Sequence, residues 1–165
     1  STTMQLLVGD AISVALIHLR KFDAEQFSKF HPGGSLGKKL YLTLKDVYDA
    51  DNQPYVGLEE LMPEVVRKIS DCKLGAVAVL NSDREVMGVI TDGDIRRALM
   101  KHGEISRLKA KDIMTAEPLS ANLSDSAYDT FMRMESKSIT QIVLTEGRHY
   151  KGLIHLHQIL KAGVF

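Results

Sequence analysis

The sequence carries one pattern twice, roughly 64 residues apart, and a chain that repeats itself at that length has to build its core from paired units. Gly88-Val89-Ile90-Thr91-Asp92-Gly93-Asp94 reads as an apolar strand running into a helix start, with a hydroxyl and a carboxylate three residues apart at the junction. Gly152-Leu153-Ile154-His155-Leu156-His157-Gln158 repeats it, with His155 in place of Thr91 and Gln158 in place of Asp94. The duplication extends outward. Lys45-Asp46-Val47-Tyr48 aligns with Lys111-Asp112-Ile113-Met114, and predicted strands from Ala76 to Leu80 and from Gln141 to Thr145 run into turns at Asn81-Ser82-Asp83-Arg84 and Glu146-Gly147-Arg148-His149. Each unit reads as helix, strand, turn, strand, helix. Two strands do not stabilise themselves in water. The copies are therefore expected to share a core, giving an α+β (α/β) sandwich with pseudo-two-fold symmetry and two equivalent clefts.

Apolar residues make up 44% of the chain and charged ones 25%, the balance of a soluble globular protein rather than a disordered one. The formal net charge is zero and the two signs are interspersed, so no electrostatic footprint for nucleic acid is read. The single Cys72, in a predicted helix, forbids an internal disulfide and fits a reducing compartment, with the cytoplasm as the expected location. Neither a cationic, apolar leader nor a long uninterrupted apolar span is read, and no membrane association is expected.

Residues 2–21 read as a helix that is apolar nearly all round, through Met4, Leu6, Leu7, Val8, Ile12, Val14, Leu16, Ile17 and Leu19. Such a helix expects burial on every side, more than two small repeats can supply. Since the chain begins Ser-Thr-Thr without an initiator Met, the expectation is a C-terminal portion of a longer protein whose preceding domain covers this helix. A homodimer interface is the alternative. A second helical stretch from Asp23 to Phe30 leads into His31-Pro32-Gly33-Gly34-Ser35-Leu36-Gly37-Lys38-Lys39. That loop can present a histidine and several backbone N–H groups to an anionic substrate, or it can be a glycine-rich linker with an incidental histidine.

Gly9-Asp10-Ala11 and the run from Phe30 to Gly37 resemble the end of the sugar-isomerase (SIS) domain of D-arabinose 5-phosphate isomerases. Thr91-Asp92-Gly93-Asp94-Ile95-Arg96-Arg97 and the later Gly152 to His157 resemble the tandem cystathionine-β-synthase (CBS) domains that follow it. The resemblance implies an SIS tail and linker over 1–41, a first CBS domain over 42–105 and a second over 106–165. It implies a parent enzyme that interconverts D-ribulose 5-phosphate and D-arabinose 5-phosphate and feeds lipopolysaccharide synthesis. That proton transfer between adjacent carbons needs a base, an acid and a grip on the phosphate, with no required cofactor. His31 matches the family's active-site histidine and is the candidate proton-transfer residue. The remaining catalytic groups belong to the SIS domain, so this region alone is not expected to turn over the sugar phosphate. The family expectation is a homo-oligomer, a dimer of CBS pairs within a tetramer.

In the first cleft the residues give a physical logic of their own. A helix N-terminus and the Thr91 hydroxyl suit a phosphate, Asp94 can accept from two ribose hydroxyls, and Asp92 and Arg96, with Arg97 beside it, lie at the helix start. A base is expected against Val47, Tyr48 and Ala76, with Tyr48 and Asp49 at the cleft mouth. The same residues also suit a plain helix cap, Thr91 or Asp92 at the N-cap and Asp94 in the first turn, which needs no ligand. His155 and Gln158 make the second cleft unsuited to an ordinary adenosine nucleotide. Local hydrogen bonding is expected of His155 and His157 rather than a metal site. The resulting expectation is a regulatory and oligomerising CBS pair whose effector is a nucleotide or a nucleotide-sugar, such as a CMP-linked acid sugar. The alternatives are a stand-alone adenine-nucleotide sensor and a purely structural dimerisation module with empty clefts.

Overall fold

A computed structural model describes residues 1–23, 26, 27, 30 and 34–163 of the chain. His31, and part of the helix expected from Asp23 to Phe30, lie outside the described residues. The elements are α1 (Thr2–Leu19), α2 (Ser35–Tyr41), a 3-10 turn (Leu44–Asp46), β1 (Tyr55–Gly57), α3 (Met62–Cys72), β2 (Ala76–Leu80), β3 (Val86–Thr91) and α4 (Asp92–His102). They continue with α5 (Ala110–Ile113), β4 (Thr115–Ala116), β5 (Ser120–Asn122), α6 (Ala127–Ser136), β6 (Gln141–Glu146), β7 (His149–His155) and α7 (Leu156–Lys161).

Two mixed sheets carry the fold, ordered β1-β2-β3-β4 and β5-β6-β7. In each, a three-residue strand runs parallel to the first long strand, and the two long strands form an antiparallel hairpin. The hairpin turns follow from their residues. The Asn81 side chain accepts from the backbone N–H groups of Asp83 and Glu85, and Arg84 and Gly147 take up the positive φ that closes each turn. β2 is buried at every position, as a strand covered on both faces must be. One face meets α3 through Val77 and Val79, and the other meets the second sheet through Ala76 and Ala78. On α3, Met62, Val65 and Ile69 share the buried stripe while Glu64, Arg67 and Asp71 pair on the outside. Between the sheets, Leu74, Ala76, Ala78, Leu80, Val143, Tyr150 and Leu153 form the core that unites the halves. The Tyr150 hydroxyl donates across it to the Pro54 carbonyl at 2.9 Å, and its burial pushes the phenol far above its usual value.

The repeats exchange their leading segments. Leu44, from the first repeat, is fully buried in the core formed by α6, β6 and β7 of the second. Leu44 N donates to Asp125 O, Lys45 N to Leu123 O, and Ala127 N to Leu42 O. The mirror set is Ala110 N to Glu60 O, Lys111 N to Leu58 O, and Met62 N to Leu108 O, which places α5 and Met114 with the first repeat. Both segments are shaped by the same carboxylate device, since Asp46 Oδ2 accepts from Thr43 N and Asp112 Oδ2 accepts from Lys109 N. β4 then adds to the edge of β3, where Gly88 is required because a Cβ would stand 2.7 Å from the Met114 sulfur and 2.9 Å from the Thr115 carbonyl oxygen.

No residue of α1 is buried. The helix bears out the all-round apolar pattern, and the CBS-like pair contributes no cover to it. By length and composition alone, 18 residues with a mean hydropathy of 1.4, α1 is long and apolar enough to cross a membrane, a property that core helices of soluble proteins share. Asp10, its one formally charged side chain, interrupts the apolar run.

Candidate functional site

Thr91 closes β3 and caps α4. Its hydroxyl donates to Asp94 Oδ2 at 2.6 Å and accepts from Asp94 N at 3.3 Å, while Thr91 N donates to the same carboxylate oxygen at 2.8 Å. This reciprocal box is the local reason the strand turns into a helix here. The capping expectation is therefore met, with Thr91 rather than Asp92 as the N-cap.

The box does not consume the carboxylate. Asp94 is buried, and its second oxygen, Oδ1, faces Arg97 Nη2 at 2.5 Å and the Thr115 hydroxyl at 3.3 Å. Burial alone pushes this carboxyl upward, but the Thr91 hydrogen bonds and then Arg97 outweigh it and hold Asp94 below the usual aspartate value. The Arg97 side chain is 72% exposed, so its pairing with Asp94 is a weak tether that a ligand can displace.

Around this centre opens a cleft of about 520 Å³, within the range of small-molecule sites. On the α4 side it is lined by Thr91, Asp92, Gly93, Asp94, Arg96 and Arg97. Apolar walls come from Val89, Pro118, Leu119, Ile139 and Val143. Of the residues singled out from sequence, the structure brings Thr91, Asp92, Asp94 and Arg96 together.

Val47, Tyr48 and Ala76 do not line this cleft. Val47 and Tyr48 pack against the core of the second repeat, because the segment exchange carries them there, and Asp49 is not among the residues lining the cleft. Ala76 is fully buried between the sheets, one residue beyond the lining Gly75. Their places are taken by Thr115, Pro118 and Leu119 from the second repeat's leading segment and by Ser138 to Gln141 after α6. The sequence held one usable signal for these residues. In a two-fold pair with exchanged leaders, the first cleft is completed by the second repeat's copy of the Tyr48-Asp49 segment, which is Met114-Thr115.

In the second repeat the same box is built from different groups. His155 N donates to Gln158 Oε1 at 2.7 Å, and His155 Nδ1 accepts from His157 N at 3.1 Å. Gln158 has thereby used its carbonyl oxygen in the cap and offers an N–H₂ donor where Asp94 offers an acceptor. The two imidazoles stack at 4.9 Å. The His155 ring nitrogen Nδ1 is committed to the local bond from His157 N, and the described residues hold no group of three His, Cys, Asp or Glu that could bind a metal ion.

Burial, and then the facing His157, hold His155 below the usual imidazole value of 6.5. The unfolded chain then binds a proton that the folded chain refuses. This contribution to stability is complete above about pH 6.5 and is lost as the pH falls through the folded value. Thermal midpoints of the wild type should accordingly drop between pH 7.5 and 5 by more than those of His155→Asn, and parallel profiles would remove His155 as the cause.

The comparisons agree with this architecture. The CBS domain family matches residues 42–101 and 110–164. Arabinose 5-phosphate isomerase KdsD of Escherichia coli (strain K12) is 36% identical over 169 residues, covering 99% of this chain and 50% of that protein. The chain thus spans about half the length of the curated relatives it matches. Among solved structures, CBSX2 in complex with AMP superposes with a TM-score of 0.64 at 16% identity, covering 74% of this chain and 96% of that one. A CBS domain pair solved with 5-methylthioadenosine and S-adenosyl-L-methionine gives 0.64 at 16% identity, covering 73% and 94%.

Proposed function

The chain belongs to the CBS domain family, and from that membership we propose that it is the regulatory CBS pair of an aldose-ketose isomerase acting on D-ribulose 5-phosphate and D-arabinose 5-phosphate, with a nucleotide or nucleotide-sugar effector bound in the Asp94 cleft. The observation that carries the reading is the chemistry gathered in that one cleft. A buried carboxylate can accept from a ribose diol, Arg96 and Arg97 can meet a phosphate, and five apolar side chains can flank a base. Binding would draw Arg97 from Asp94 to the phosphate, freeing Oδ1 for the ribose hydroxyls. The likeness to relatives solved with adenosine compounds supports the nucleotide class. The exchanged segments make the two halves one unit, which suits a module that assembles isomerase protomers into a homo-oligomer, and the free Cys72 suits the cytoplasm.

Calorimetric titration of this chain with AMP, CMP and the CMP-linked acid sugar tests the reading. We expect saturable binding of at least one, weakened about ten- to a hundredfold by Asp94→Asn, which keeps an acceptor for the helix cap but loses the charge. A folded chain that binds none of them would point to an empty structural dimerisation module instead.

A further inference from the structure

Beside the ligand cleft lies a second cavity of about 410 Å³, and the two share one wall, since Gly75, Asp92 and Gln141 line both. Resting on the nucleotide reading above, we propose that this second cavity is a subsite for a second anionic group of the same ligand, held by Lys73 and His155. The cleft would then favour nucleoside diphosphates, or nucleotide-sugars bearing a further negative charge, over nucleoside monophosphates.

The argument starts from two groups with unused donors. Lys73 ends α3 and lines the cavity, and its ammonium has no hydrogen bond or ion pair among the described residues. His155 also lines the cavity. Its Nδ1 accepts from His157 N, so the neutral ring carries its proton on Nε2, and stacking on His157 fixes the plane of the ring. A cation and an oriented N–H donor at one cavity make an anion the fitting guest.

The two-fold relation gives these residues a consistent meaning. His155 stands where the first repeat has Thr91, and Lys73, with φ 56, stands where the second repeat has Ser138, with φ 52. The second half-site therefore presents a cation and a donor at the end where its twin presents hydroxyls. At its other end Gln158, committed to the cap, cannot replace the carboxylate of Asp94. It has lost what a ribose needs and kept what an anion needs.

The wall between the cavities is thin, being made of Gly75, Asp92 and Gln141. Gly75 has φ +67, and a Cβ there would stand 3.1 Å from Gln141 Nε2 and 3.3 Å from Asp92 Oδ2. Gln141 closes the gap with a single side chain, donating to Leu74 O at 3.0 Å and accepting from the Thr140 hydroxyl at 2.8 Å. Asp92 is exposed and opposes an anion at this wall, so Asp92→Asn is expected to tighten diphosphate binding.

The test is titration of the intact chain with AMP, ADP and the CMP-linked acid sugar against CMP, at fixed ionic strength. ADP should bind about tenfold tighter than AMP. Lys73→Gln should erase that preference while leaving AMP affinity within about twofold, and His155→Asn should reduce it. If the acid sugar rather than ADP shows the Lys73-dependent preference, the subsite stands and its guest is a carboxylate. Equal affinity within both pairs, or a Lys73→Gln loss that is the same for AMP and ADP, overturns the subsite while leaving the nucleotide cleft intact. Absence of binding by every nucleotide overturns both.

Discussion

Leu44→Ala should cost the folded chain about 2–5 kcal/mol, with the cavity opening in the opposite half of the molecule from the one to which Leu44 belongs in sequence. Leu44 has no exposed surface and sits among Ala121, Ala127, Phe131, Met134, Ile142, Leu144, Ile154 and Ile159, all of the second repeat. The same exchange means that residues 42–105 alone should fail to fold. Without the second repeat, Leu44 loses its pocket, and the first core loses Ala110, Ile113 and Met114. Urea denaturation measures both effects. The exchange would lose its energetic meaning if residues 42–105 melted cooperatively as a monomer, or if Leu44→Ala cost less than about 1 kcal/mol.

This exchange also marks where sequence reading stops. The four long strands, both hairpin turns and the Thr91 helix start were legible because local pattern encodes them: a buried apolar run, turn-forming residues, and a hydroxyl three residues before a carboxylate. β1 and β5 were not, since three-residue strands at a sheet edge leave almost no periodicity. The cleft divided along the same line. Thr91, Asp92, Asp94 and Arg96 follow one another along the chain and were found together. Thr115, Pro118, Leu119 and the run from Ser138 to Gln141 reach the cleft only through the pairing of the repeats, and placing the base against Tyr48 assumed that each repeat completes its own site. Arg96 and Arg97 are equal candidates for a phosphate at the helix start, but helical spacing separates them: Arg97, three residues after Asp94, is the one that reaches back to it.

In the intact isomerase proposed above, His31→Ala should lower turnover by about two to four orders of magnitude, the usual contribution of a positioned acid or base. Although His31 lies outside the described residues, the segment that follows it is anchored. Lys38 Nζ donates to the Ala162 carbonyl at the end of α7 at 3.0 Å, and the Lys39 ammonium stands 5.2 Å over the Tyr128 ring of α6. α6 in turn runs directly into Ser138 to Gln141, the cleft wall. The Lys39 contact on α6 and the Ser138 to Gln141 wall of the ligand cleft therefore belong to one continuous stretch of chain. On this reading His31→Ala changes kcat without moving either the thermal midpoint or nucleotide affinity, as expected of a residue whose role is proton transfer. Steady-state kinetics and melts on the same preparation separate the cases. Near-normal turnover would return the His31 loop to a glycine-rich linker, whereas loss of both turnover and stability would make it a structural element of the domain that precedes it.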